Sequence, residues 1–260
     1  MRLLRRILIT IVVTLAVIFV AIRWIGPVAF SFYSAKKALP VAKIVPADLV
    51  DVSVSQAPGM KLSYLGYEFE IPWTDLDETK TTLYPTNKPE KTMAVLAFKS
   101  GLRLMVMAAP PRSFTTEMAS DLKMSPQAVE AVFGPGAATS DYIFARNVYR
   151  FTPASMHYWS LSPALHYREQ VSLMIKEIMP VKSAETGIFN LHHLGYQGFQ
   201  QGDPRVRQNN LLLLTLYGAD GAIEISIIQD KYRCPSGVTQ PEINRIVQSL
   251  HKVSPDHGKS

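Results

Sequence analysis

In "MKLSYLGYEFEIPW", residues 60–73, Tyr67, Phe69 and Ile71 fall on one face of an extended chain and Glu68 and Glu70 on the other. That period of two predicts a strand with one buried face. "TMAVLAFKSGLRLMVMAAPP" repeats the signal as a hairpin, two apolar runs meeting at Lys99-Ser100-Gly101 and stopped by Pro110-Pro111. From 113 to 180 the period lengthens towards that of a helix. Ser125-Pro126 and Ser162-Pro163 each pair a capping residue with proline at the first helical position, and Gly134 is a stop. The second start opens a helix whose apolar stripe is Ala164, Tyr167, Val171, Met174, Ile175 and Ile178, ended by Pro180. Alternation resumes in "TGIFNLHHLGYQGFQQG" and "NNLLLLTLYGADGAIEISIIQ", the latter turning at Gly218-Ala219-Asp220-Gly221. Thr239 caps a closing helix with Ile243, Ile246, Val247 and Leu250 on one face. Strands on both sides of a helical block predict an α+β domain: an antiparallel sheet, a central helical block and a closing C-terminal helix.

The N-terminus follows neither pattern. "MRLLRRILITIVVTLAVIFVAIRWIGP" is uncharged from Ile7 to Ile22. As a helix that run spans about 24 Å, against about 30 Å of hydrocarbon. Extension from Leu3 to Ile25 makes up the length if Arg5, Arg6 and Arg23 reach the headgroups and Trp24 sits at the interface. A cleaved signal peptide competes, but cleavage after Ala21, Ala29 or Ala35 would place Phe19, Pro27 or Tyr33 where a small residue is needed. The expectation is an uncleaved signal anchor. Arg2, Arg5 and Arg6 favour an N-terminus inside and the rest on the extracytoplasmic, periplasmic side of the cell membrane, although Arg23, Lys36, Lys37 and Lys43 follow the span. The expected organisation is a cytoplasmic tip and transmembrane anchor (1–27), a juxtamembrane linker (28–46) and one globular domain (47–260) containing the helical block 113–180. Pro27 is expected to end or kink the anchor helix. Phe30, Phe32, Tyr33, Lys36 and Lys37 then form either an interfacial collar or a solvated linker.

The element order resembles the PsbP-like fold class, on the early "YLGYEFEIP", the late strand "GAIEISIIQ" and the terminal helix "TQPEINRIVQSL". The resemblance implies a curved antiparallel sheet backed by helices. Residues 113–180 depart from it, and no functional residue carries over.

Charge changes the view of partners. The chain has 27 basic and 21 acidic side chains, and seven of the basic ones, with no acid, lie in residues 1–46. Removing those seven leaves 20 against 21, so residues 47–260 carry a net −1. A near-neutral domain lacks the basic footprint that nucleic acid requires. The expected partners are therefore the lipid bilayer through the N-terminal helix and, as an open option, a membrane protein. A single cysteine, Cys234, excludes an intramolecular disulfide, a paired-cysteine zinc site and iron–sulfur ligation; beside Pro235 it reads as a loop cysteine.

"LHHLGYQGFQQGDP" (191–204) invites a metal site, but adjacent histidines on a strand point to opposite faces. His192 and His193 are expected in a strand followed by a glycine-rich turn. Asp75, Asp77 and Glu78 lack the glycine and distal glutamate of a calcium loop. Met105 and Met107 read as core filling. His157 and His166 flank Trp159 and Pro163, with His166 expected to point outward on the polar side of its helix. No GxSxG, HExxH or nucleotide-binding motif is present. No catalytic, cofactor-binding or metal residue is assigned and no cofactor is expected. The function expected is a membrane-anchored extracytoplasmic domain, leaning away from an enzyme, that binds a partner protein or small apolar ligand. The alternative is a membrane-tethered enzyme using His157, His166 and Arg168.

Overall fold

Strand-period and helix-period segments occupy separate layers in the computed structural model, which describes residues 11–19, 23, 25–38, 40–85, 92–160, 162–178, 182–206, 210–229 and 237–253. Chain order begins with helix α1 (Gly26–Lys37), a 3-10 turn (Pro40–Lys43) and strand β1 (Ala47–Asp48). The strands β2 (Met60–Tyr64), β3 (Tyr67–Ile71), β4 (Thr82–Pro85), β5 (Thr92–Ala97) and β6 (Arg103–Ala109) follow. The helical block comprises α2 (Ser113–Asp121), α3 (Pro126–Phe133), α4 (Asp141–Arg150) and α5 (Pro163–Ile178). Strands β7 (Ile188–His193), β8 (Tyr196–Gln201), β9 (Leu211–Gly218) and β10 (Gly221–Ile228), helix α6 (Gln240–Ser249) and strand β11 (His251–Lys252) complete it. The fold is α+β.

The large sheet has the order β1-β7-β8-β9-β10-β6-β5-β4. Every pairing is antiparallel except β1 with β7 at the edge, which is parallel, so the expected all-antiparallel sheet is corrected to a mixed one. The early strand does not join it. β3 pairs with β2 and β11 in a separate three-stranded sheet.

Alternation decides what each face meets. Leu104, Val106, Ile223, Ile225, Leu214 and Leu216 share a buried core with Phe69 and Ile71 of the small sheet and Ile243 and Ile246 of α6. Val129, Phe133, Phe144, Val171 and Ile175 knit the helical block together. Tyr149, Ile188 and Phe199 join that block to the sheet. The start and stop chemistry is realised: Ser125 Oγ accepts from Ala128 N, Gly134 takes φ 93° after α3, and the Glu242 carboxylate accepts from Thr239 N and Oγ1.

The N-terminal span is described only in part, and two further segments differ from the expected picture. Among the described residues no helix is long and apolar enough to cross a membrane. Residues 11–19 are helical, but most of the expected span from Leu3 to Ile25, with Arg5, Arg6 and Trp24, lies outside the described residues, as do Arg2 and Cys234. Second, part of residues 28–46 packs into the fold. Ser31, Val41 and Ala42 are buried, and Pro27 stands in the first turn of α1, where its missing N–H is harmless. Third, α5 buries Val171 and Ile175 of its expected stripe but not all of it, and buries a further face besides. Tyr167 and Met174 are exposed, whereas His166, Glu169, Leu173 and Lys176 are buried at helical spacing. The reason is α1, which covers the polar side of α5 that a sequence pattern assigns to solvent.

Candidate functional site

The hairpin of β7 and β8 carries the twin histidines. Leu194 and Gly195 make its turn with φ 34° and 86°. His192 is exposed; His193 is partly buried, and burial pushes its imidazole below the usual histidine range. Gly198 is a packing requirement: a Cβ there would collide with the backbone carbonyl of Thr215 on β9. Among the described residues no group of three metal-type side chains gathers. Asp75 accepts instead from Ser100 N at 2.7 Å, while Asp77 accepts from Thr79 Oγ1 at 2.5 Å and pairs with Lys80 at 2.9 Å.

What the stretch does supply lies at its far end. Gln200, on the α6 side of the sheet, is fully buried. Its Nε2 donates to Gln240 Oε1 at 2.8 Å and to the Gly202 carbonyl at 3.0 Å. Gln240 Nε2 returns bonds to Gln200 Oε1 at 2.9 Å and Asn244 Oδ1 at 3.0 Å. Asn244 Nδ2 then donates to the carbonyls of Asp51 and Ser53 at 3.0 and 2.7 Å. All six amide hydrogens are used, so the network fastens sheet, final helix and the strap after β1 without a desolvation deficit.

Beside this network opens a cleft of about 370 Å³. Four separated segments wall it: Leu49–Asp51, Phe189, Asp203–Arg205 and Val238–Pro241. Its lining is largely apolar, and Val50 on its rim is 90 % exposed. Asp203 grips Arg205 in a fork, Nε to Oδ1 at 2.9 Å and a terminal nitrogen to Oδ2 at 2.7 Å. Those bonds hold the Asp203 carboxyl below the usual range, so the rim keeps a formed ion pair at neutral pH. A second hollow, of about 250 Å³, lies across the strap and includes the exposed Val52.

The residues named for the enzyme alternative separate. His157 and Arg168 line one cleft of about 440 Å³ with Arg150, Asn147 and Glu169. Glu169, buried, accepts from His157 N at 2.9 Å and from His157 Nδ1 at 2.7 Å through one oxygen. Its other oxygen is buried without a hydrogen bond. His166 does not reach the cleft. Contrary to its expected outward position it is buried, with Nε2 donating to the Ser160 carbonyl at 2.5 Å and Nδ1 3.0 Å from Ser31 Oγ on α1. Gln170 Nε2 donates to the same hydroxyl at 2.9 Å. Further along α5, the Lys176 ammonium is fully buried and donates to the carbonyls of Ile44, Tyr149 and Phe151 at 2.6–2.7 Å. Burial pushes it down to about 8. Glu169, Lys176 and the three amides were not singled out in the sequence. The only available signal was the 166-169-173-176 spacing, a helical stripe whose polar members disguise it.

No protein-family model matches the chain, and no curated protein or solved structure is similar to it.

Proposed function

We propose that the chain is a single-pass membrane protein, N-terminus inside, whose extracytoplasmic α+β domain binds a small apolar ligand or the apolar side chain of a membrane protein partner. The observation that carries the binding reading is the cleft at the start of α6. Its size is that of small-molecule sites, its lining is mostly apolar with a few fixed polar groups, and its wall residue Gln240 is held in place by the amide network. The anchor reading is supported by the basic, uncharged-core N-terminus. It is supported also by residues 11–19, whose large apolar side chains are 47–66 % exposed on a helix.

The test uses full-length protein in mild detergent, with valine methyls labelled for NMR and cyclohexanol as the probe. Saturable shifts of Val50 and Val238 methyls are expected, with Val171 in the helical block unmoved. Uniform or absent shifts would remove the cleft as a binding site. A membrane-tethered enzyme is the second reading, favoured by the Glu169–His157 pair, which orients an imidazole whose Nε2 has no partner among the described residues. Turnover of 4-nitrophenyl acetate that His157→Asn leaves unchanged would dispose of it.

A further inference from the structure

Resting on the anchor reading, we infer that α1 and the Trp159 loop form one aromatic face that lies in the headgroup layer, so that the domain is clamped to the bilayer rather than swinging from a linker. The two sides of α1 divide the work. Ser31, Ala35 and Ala38 turn towards α5, with Ser31 fully buried against His166 and Gln170. Phe30 and Tyr33 turn outward, and Lys37 Nζ lies 4.6 Å from the centre of the Tyr33 ring.

Phe32 joins the helix to a distant loop, stacking on Tyr158 at 4.6 Å and meeting Trp159 edge-on at 5.1 Å. Trp159 is nevertheless 85 % exposed. Such a side chain in water is an expense; at a membrane interface it is the preferred residue, as is tyrosine with lysine beside it. Chain continuity brings the face to the surface. At about 1.5 Å per residue Phe30 lies only about 8 Å past Ile25. One headgroup layer is about 5–8 Å thick. Because Ser31, His166 and Gln170 are bonded in the interior, Trp159 moves with α1 and cannot leave the surface independently.

The test is depth-dependent quenching in full-length protein reconstituted into phosphatidylcholine–phosphatidylglycerol vesicles whose acyl chains are brominated near the headgroup. Trp24→Phe with Trp73→Phe leaves Trp159 as reporter, and Trp24→Phe with Trp159→Phe leaves Trp73, which packs on Phe98 in the core, as the internal control. Trp159 is expected to lose most of its emission and Trp73 almost none. In the otherwise unaltered chain, Trp159→Phe should remove part of the bromine-sensitive emission, a readout that needs no multiple substitution. If the protein floats with the vesicles and survives carbonate washing while Trp159 is unquenched, the clamped face is wrong and the anchor stands. If it does not float, both fall.

Discussion

Lys176→Met tests the buried ammonium directly. Methionine preserves most of the stem but removes all three donors to Ile44, Tyr149 and Phe151. Hydrogen bonds to a charged group contribute about 1.5–3 kcal/mol each, so their loss amounts to roughly 4–9 kcal/mol gross. Against this, the substitution relieves the burial penalty that lowers the amine from 10.5 to about 8. At about 1.4 kcal/mol per pH unit that relief is about 3 kcal/mol. The net expected destabilisation is therefore roughly 1–6 kcal/mol near pH 7, measured by urea unfolding of the full-length protein in mild detergent.

The pH dependence adds a second, independent readout. With a folded pKa near 8 and an unfolded one near 10.4, the unfolded chain holds more protons between those values. Wild-type stability then rises with pH across that window relative to Lys176→Met, by up to about 3 kcal/mol, because only the wild type carries this linkage. Below about pH 8 the difference is flat. Equal stability of the two proteins at pH 7, or a difference that shrinks between pH 8 and 10, would refute the assignment of Lys176 as a buried cation holding three carbonyls.

Gly198→Ala should destabilise by more than about 2 kcal/mol, since the clashing Thr215 atom is backbone and cannot step aside; calorimetry that finds it neutral would contradict the strand spacing. Arg205→Met should lower the melting temperature at pH 7, with the difference closing as pH falls below about 4, because the Asp203 carboxyl is held low by Arg205 and the pair dissolves once it protonates. Asn244→Leu should loosen the strap after β1, seen as faster amide exchange at Val54 and Ser55 while the strand amides of β9 and β10 stay protected.

Legibility in the sequence tracked how local the cause was. β3 could be read because one face meets the core and the other water, so Tyr67, Phe69 and Ile71 announce themselves. Hairpins at Gly101 and Gly221 and the caps at Ser125 and Thr239 are set by neighbours in the chain. The buried side of α5 was hidden because its cover, α1, comes from more than a hundred residues away, and because a histidine, a glutamate and a lysine were held by bonds that no periodicity encodes. β1 is two residues long, too short for any period, and its parallel pairing follows from where the strap is fastened. The cleft was invisible for a related reason: its wall residue Gln240 is held by Gln200 and Asn244, residue types normally assigned to the surface.

The bond between Ser31 and His166 closes a loop of 135 residues. A ribosome adding about 5–20 residues per second needs roughly 7–27 s to cover that distance. For all of that time the inward side of α1, and then Val41 and Ala42, emerge with nothing to receive them. The Ile44 carbonyl waits about as long, since Lys176 lies 132 residues on. Helix α1, made before α5, thus waits for its seat, and any arrest of synthesis before α5 leaves it without its partners.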